Sequence, residues 1–451
     1  MDSVTSTDTA EDEEIPSEQT RRNYRSFLLI WVAQLVARIG NGLTAFGLGV
    51  YVYQVSGQST AVALVTMAAF LPGVLLAPLG GVLADRFDRR LLMILGDTLS
   101  AVGLLGLVLL INAGVGNVAV VCGCVAFSSI FTSVMDPAYR ATISDLLTPK
   151  QYARASGLVQ FASASQYLIS PAVAGVLMAV SGIVTVLTID ISTMVVTTTC
   201  MLLVWRTIKS TKPVAERGFW ADLRFGIAFL GENRGITVLM LLITFVTFCM
   251  GFLQTLLTPM LLDISDEETL GVVRSVAAVG MVVASLVIGI FSMGNRHIRY
   301  IAIGLAGSGV TTILMGSTVN VFLIGAFCFV FFMMLPPLNT SVEVLVRASI
   351  PNETQGKVWG LMGLISQIGY IAAYGLSGVL ADYVFNPLLV PGGALADSLG
   401  RIIDVGQSRG IGLMLIIVGA LLLVMAVVMP RVRSIRVLED TLIEQTQESK
   451  R

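Results

Sequence analysis

The chain has 451 residues, 55% of them hydrophobic and 13% charged, with a mean hydropathy of +0.84. A soluble domain carries about 25% charged residues, so the composition excludes an ordinary soluble fold and points to a polytopic membrane protein. The net charge of -1 by itself says nothing about nucleic acid, which is not expected as a partner, and all five cysteines (Cys122, Cys124, Cys200, Cys249, Cys328) sit in apolar runs with no His or carboxylate cluster, which argues against disulfides and against a metal site.

Residues 1–26 open the chain. The first twenty hold seven acids, Asp2, Asp8, Glu11, Asp12, Glu13, Glu14 and Glu18, and no apolar block. A disordered acidic tail is expected, with no signal peptide.

From Phe27 apolar runs recur. A helical crossing takes about 20 residues, and the runs give twelve spans: 27–53, 61–84, 91–111, 118–135, 156–180, 183–205, 235–259, 270–293, 300–318, 320–340, 358–383 and 410–429. Lipid offers backbone groups no partners, so the spans are helices. The expected fold is all-α. Residues 27–205 form one six-helix half, 206–234 a linker, 235–430 a second half and 431–451 a tail.

The first span carries Gln34, Arg38 and Asn41 at i, i+4 and i+7, on one helix face. Arg38 lies about 11 residues, or about 16 Å, into the helix. An arginine there costs roughly 2.5–3.5 kcal/mol on insertion scales and needs a carboxylate or water. These three are candidate cavity residues; a structural interhelical hydrogen bond is the blander reading. The loop after the second span, Asp85-Arg86-Phe87-Asp88-Arg89-Arg90, packs five charges into six residues. Asp97 in the third span and Asp190 in the sixth are the intramembrane acids, and so the candidates for proton coupling. Asp136 closes the fourth span. The fifth contains Ser170-Pro171-Ala172-Val173-Ala174-Gly175. In the linker, Phe219 to Phe229 alternates apolar and charged residues at helical spacing, as a surface helix would.

The seventh span has a polar and small face, Thr244, Thr247, Gly251, Gln254 and Thr258. Thr247 and Gln254 are its best cavity candidates, since a Gln cannot bond back to its own helix as Thr does. Gly157-Leu158 and Gly175-Val176-Leu177 recur as Gly360-Leu361 and Gly378-Val379-Leu380 at an offset of 203 residues, an echo of two halves. Glu343 lies near the end of the tenth span. The lone histidine, His297, is read as a solvated loop residue. Residues 384–409 form an outer loop, with Ala394 to Val405 a candidate interfacial helix. Lys and Arg number 24 on the side of the termini against three opposite, Arg274, Arg401 and Arg409. The positive-inside rule puts both termini in the cytoplasm.

The stretch Gly81-Val82-Leu83-Ala84-Asp85-Arg86-Phe87-Asp88-Arg89-Arg90 resembles the G-x-L-A-D-R-x-G-R-R motif between the second and third helices of the major facilitator superfamily. Gly81, Leu83, Ala84, Asp85, Arg86, Arg89 and Arg90 match it; Asp88 replaces a glycine. Ser170, Pro171 and Gly175 resemble, in degenerate form, the G-P-x-x-G-G end of the antiporter motif of drug-exporting branches. The opening ARIGNGLTAFGLGVYVYQVSG and the outer-loop GGALADSLG place the likeness near macrolide-efflux and siderophore-exporting members. The resemblance implies two parallel six-helix halves. It implies a cytoplasmic gate in which Asp85, Arg86, Arg89 and Arg90 pair across the halves, with Asp136 and Glu343 as partners. It implies proton-coupled export of an amphipathic small molecule by a monomer in the cell membrane, with no cofactor beyond the proton gradient. Uptake by proton symport and a non-transporting membrane sensor are the alternatives. No nucleotide-binding loop, zinc motif or nucleophile elbow supports an enzyme.

Overall fold

A computed structural model of the chain describes residues 17–205, 219–291, 293–350 and 354–448. These residues form helix after helix, with no strand among them. The first half comprises α1 (Ser17–Ser56), α2 (Ser59–Arg86), α3 (Arg89–Asn112), α4 (Val118–Leu146), α5 (Pro149–Leu168) and α6 (Ser170–Val204). A connecting helix α7 (Phe219–Glu232) leads to α8 (Arg234–Leu262), α9 (Glu267–Ile290), α10 (His297–Ser317), α11 (Val321–Ser349) and α12 (Gln355–Leu380). Then come a π-helical turn Ala381–Phe385, the short α13 (Asn386–Leu389) and α14 (Gly400–Ile403), α15 (Arg409–Val428) and α16 (Arg433–Glu448).

Eleven helical stretches among the described residues are long and apolar enough to cross a membrane. One of them, Arg154–Val204, has 51 residues. That is about 75 Å of helix, more than twice a hydrocarbon core of about 30 Å. Gly182 divides it at φ 73 and ψ −175, backbone angles that favour glycine. Its two arms lie back to back: Gly47 of α1 packs against Met178 before the turn and Ile183 and Val186 after it. With that division the spans number twelve.

Packing repeats between the halves. In the first, α1 lies on α6, α2 on α4, and α3 on both α4 and α6. In the second, α8 lies on α12, α9 on α11, and α10 on both α11 and α15. The order of partners is the same, as two parallel copies of one unit require.

Several expected boundaries move outward. Residues 17–26 belong to α1 and not to a disordered tail; residues 1–16 lie outside the described residues, as do 206–218 and 449–451. The fourth span does not stop at Met135. It continues through Asp136 and Pro137 to Leu146, and the tenth passes Pro336 and Pro337 to reach Ser349. Hydropathy marks where lipid ends, whereas a helix ends where its backbone donors and acceptors find other partners. Ala394 to Val405 holds only the single helical turn Gly400–Ile403. Arg409 is buried there and donates to Ile403 O at 2.7 Å, Gly316 O at 3.1 Å and Thr318 O at 3.3 Å, closing the C-terminal end of α10.

His297 is buried, not solvated, at 7% exposure. The tail helix α16 folds under the second half, with Leu438 against Gly235 and the Glu439 carboxylate accepting from Ile298 N at 2.7 Å. α7 docks similarly, Gly226 on Leu361 and Lys357 Nζ 5.0 Å over the Phe225 ring.

Asp88, the departure from the loop motif, needs no glycine conformation. It has φ −61 and ψ 115 and caps α3, its carboxylate accepting from Arg90 N at 3.0 Å and Arg90 Nε at 2.8 Å. The hydrogen bond from Arg90 lowers its pKa below the usual aspartate range. The cap therefore contributes fully above that range and is lost as pH falls through the lowered value. Replacing it by alanine should cost about 1 kcal/mol. Asp88→Ala is expected to lower the melting midpoint in detergent at neutral pH, while Asp88→Asn stays near wild type.

Candidate functional site

The halves meet at the face remote from the termini, and the contact is built on backbone. α2 begins at Ser59, and its N-cap residue Gln58 supplies no side-chain bond. The cap comes from the other half: Asp382 accepts from Ser59 N at 3.1 Å, Thr60 N at 2.7 Å and Thr60 Oγ1 at 2.6 Å. A carboxylate on a helix N-terminus satisfies orphan donors and faces the positive end of the helix dipole. Beside it, a Cβ on Gly378 would come within 2.5 Å of Thr60 Cα, so only glycine allows this approach. The mirror contact lies between α6 and α9, where Gly175 rests on the Glu267 carbonyl and on Gly271, and Gly271 lies on the Pro171 carbonyl. Ala172 N donates to Ser275 Oγ at 3.1 Å. Tyr53 donates to Asp263 at 3.0 Å and Gln54 to Glu267. Gly175 and Gly378, the echoed glycines of the sequence, thus serve the two equivalent seams.

Below this closure is a polar and aromatic cluster. Phe70 of α2 packs edge-on against Tyr370 and Tyr374 of α12, centroids 5.6 and 5.4 Å apart. Tyr374 donates to Gln254 Oε1 at 2.8 Å. Arg274 of α9 donates from Nη2 to Gln254 O at 3.0 Å and Thr258 Oγ1 at 2.7 Å, and its guanidinium lies 5.7 Å from the Phe46 ring centre on α1. Thr247 donates to Ser366 O at 2.7 Å, tying α8 to α12.

Toward the termini the halves part. α4 and α11 share no packing interface. Arg38 of α1 and Asp136 of α4 pair at 3.0 Å, with side-chain exposures of 18% and 49%. Both lie within spans, about 27 Å along their helices from the far face. Asp136 is half-exposed on the side where α4 and α11 do not pack together, and its pairing with Arg38 ties α1 to α4 there.

This arrangement corrects one expectation. Gln34 does not share the crevice with Arg38. It is 2% exposed and turns into the first half, lining a small cavity with Met93, Asp97 and Thr197. The expected cytoplasmic gate belongs to a state closed on the side of the termini, and here that side is parted: Asp136 pairs with Arg38, and Glu343 is exposed on α11 with no bond to the first half among the described residues. The described bonds of Arg89 and Arg90 stay inside the first half: Arg89 reaches Ala141 O, and Arg90 reaches Asp88 and Trp205 O while stacking 4.5 Å over the Trp205 ring. The side chains of Gly81, Asp85 and Arg86 lie outside the described residues. Asn41 is half-buried on α1 and makes no side-chain hydrogen bond.

Both intramembrane acids are sealed inside the first half. Asp190, 1% exposed, accepts from Thr44 of α1 at 2.5 Å and from Thr193 at 3.4 Å. Asp97, 5% exposed, accepts from Thr197 at 2.6 Å. No basic side chain lies within ion-pair distance of either, and no cluster of metal-ligating residues occurs among the described residues.

Arg274 and Asp382 were not legible as site residues. Arg274 falls four residues inside the expected eighth span, 270–293, but was counted with the charges of the far side; α9 starts at Glu267, with Asp266 accepting from Thr269 N at 2.8 Å as its cap, which sets Arg274 deeper still. The run Asp266-Glu267-Glu268, an acidic helix start, was the available signal. The signal for Asp382 was an acid just inside the end of the eleventh span, 358–383, but its partners, two backbone N–H groups and the Thr60 hydroxyl, lie in the other half and have no pattern in the sequence.

The model of the Major Facilitator Superfamily matches residues 30–374, well over half of the chain. Macrolide efflux protein A of Streptococcus pyogenes is 25% identical over 366 residues, covering 79% of this chain and 90% of that protein. Multidrug efflux pump Tap of Mycolicibacterium fortuitum is 24% identical over 377 residues, covering 79% and 89%. Among solved structures, a bacterial homolog of the human lysosomal transporter Spinster, inward-facing and unoccupied, superposes with a TM-score of 0.71 at 14% identity, covering 94% of this chain and 98% of that one. The POT family transporter PepTSo also reaches 0.71, at 10% identity, covering 92% and 98%.

Asp382→Ala should weaken the far-face closure by about 0.3–2 kcal/mol, the range for an anion at a helix start. That is a shift of about two- to thirty-fold in the population of the closed form. Spin labels at Val55→Cys and Glu268→Cys, in a background freed of native cysteines, should report a longer distance in the variant; an unchanged distribution would remove Asp382 from the closure.

Proposed function

The chain belongs to the major facilitator superfamily, and from that membership we propose that it is a proton-driven exporter of amphipathic organic compounds, drugs among them. It is a multi-pass membrane transporter whose substrate is a small molecule. Two halves related as repeats and closed at one face are the parts that alternating access requires.

Export is supported first by orientation. The face of the termini carries 24 of the 28 Lys and Arg, so on the positive-inside rule it is cytoplasmic. The crevice holding Arg38 and Asp136 then opens to the cytoplasm, as a state that loads cargo for export must. The observation that carries the reading is the part played by the Ser170–Gly175 segment. Ser170 Oγ bonds Ile39 O of α1 at 2.9 Å, Ala172 N bonds Ser275, and Gly175 meets Gly271. Pro171, Ala172 and Gly175 are thus part of the outer seam and must separate from α9 when cargo leaves on that side, while Ser170 ties the same segment to α1 within the first half. The names of the efflux relatives agree with that direction.

For coupling we assign the proton to Asp190 or Asp97. Each is shielded from water and bonded only to hydroxyls, and Asp190 touches α1, the helix that also carries Arg38. A proton crossing 100 mV supplies roughly 2.3 kcal/mol, and each tenfold step of cargo gradient takes about 1.4 kcal/mol.

Two measurements test this. Cells expressing the protein should lose susceptibility to a macrolide, and inverted vesicles should take up the labelled drug only with an imposed pH gradient. Flux in the opposite direction, or flux indifferent to the gradient, would reject proton-driven export. Asp190→Asn or Asp97→Asn should abolish gradient-driven accumulation while leaving drug–drug exchange within about twofold of wild type; full accumulation in both variants would place coupling elsewhere.

A further inference from the structure

Two arginines lie inside the spans at the meeting of the halves, and only one is neutralised. Arg38 has Asp136 at 3.0 Å. Arg274 has no carboxylate within ion-pair distance, and its contacts are the neutral Gln254 O and Thr258 Oγ1, both made through Nη2. It stands seven residues into α9, about 10 Å from the start of that helix and next to Ser275 of the α6–α9 seam. Toward the first half its guanidinium lies 5.7 Å from the centre of the Phe46 ring. Nη1 and Nε make no hydrogen bond to the protein. A charge in a membrane interior is tolerated where a counter-charge or water meets it, and here the protein itself contributes neither.

We propose that Arg274 is the docking point for a carboxylate on the cargo. With Nη2 engaged by Gln254 and Thr258, Nη1 and Nε remain to donate, and a carboxylate oxygen meeting either one forms a charge-assisted bond to the guanidinium. Around it, Tyr374, held by Gln254, packs with Tyr370 and Phe70. These rings offer an aromatic wall to the rest of the molecule. The cargo class is therefore an aryl or other apolar body bearing one carboxylate. The site draws on both halves, Phe46 and Phe70 from the first and Arg274, Gln254, Tyr370 and Tyr374 from the second. Bound cargo is then felt by both when they rock. This assignment rests on the transport reading above and names one class of cargo for it, held at this point, beside neutral and basic drugs such as the macrolides, which carry no carboxylate.

The test uses the full chain in lipid nanodiscs and a matched pair of probes, 2-naphthoate and neutral 2-naphthamide. Wild type should bind the acid at least about tenfold more tightly than the amide. Arg274→Gln should bring that ratio to about one. Arg274→His, which retains a titratable cation, should keep the preference near pH 5.5 and lose it near pH 8; it decides the matter if the Gln variant does not fold. Equal binding of the two probes to wild type, or an undiminished preference in Arg274→Gln, overturns the assignment. Wild-type protein that exports a macrolide yet does not distinguish acid from amide overturns the carboxylate site and leaves the exporter reading standing. Acid preference without any gradient-driven flux supports the site and counts against the exporter.

Discussion

Closing one end of a two-bundle membrane protein demands contact so near that side chains are in the way. Here two seams meet that demand with glycine. Gly175 and Gly271 bring α6 onto α9, and Gly378 brings α12 onto the first residues of α2. Lipid gives helices little hydrophobic reason to associate, so close van der Waals approach and hydrogen bonds must supply the attraction. Asp382 adds the one strongly polar component, a carboxylate seated on donors that α2 cannot satisfy for itself. Because those donors are backbone groups, the bond breaks only when the helices move apart as bodies.

The same constraint sorts the charges. Arg38 and Asp136 face the opening, where water screens them and the pair costs little to form or break. Arg274 lies above them, packed among Gln254, Thr258 and Phe46 without an acid. The path from the termini toward the closed face therefore runs from a solvated ion pair to an unneutralised cation among rings. An electrostatic profile of this kind draws an anion inward and leaves it at the closure.

The spans were legible because bilayer thickness fixes the length of apolar runs, and eleven continuous helices plus the break at Gly182 reproduce them. The two-residue gap between 180 and 183 was legible too, since one glycine with positive φ suffices for that turn. Helix ends were not, because the apolar runs stop at 135 and 340 while the helices continue, through Pro137 to Leu146 and from Pro336 and Pro337 on to Ser349. Neighbouring groups can satisfy the acceptors that proline frees. The glycine echo marked two copies of one unit without saying what the glycines touch. Gln34 shared a helical face with Arg38 on paper, but four residues turn a helix by about 400°. The remaining 40° was enough to send it toward Asp97.

Gly182 has one more effect. The arm before it carries Gly175, and the arm after it carries Asp190, bonded to Thr44. A hinge one residue long leaves the pair no slack, so they behave like the blades of tweezers joined at the tip. A displacement that pulls Asp190 away from α1 is transmitted around the bend and tugs on the seam with α9. The buried carboxylate and the seam then share a single mechanical linkage, without a chain of intermediary side chains between them.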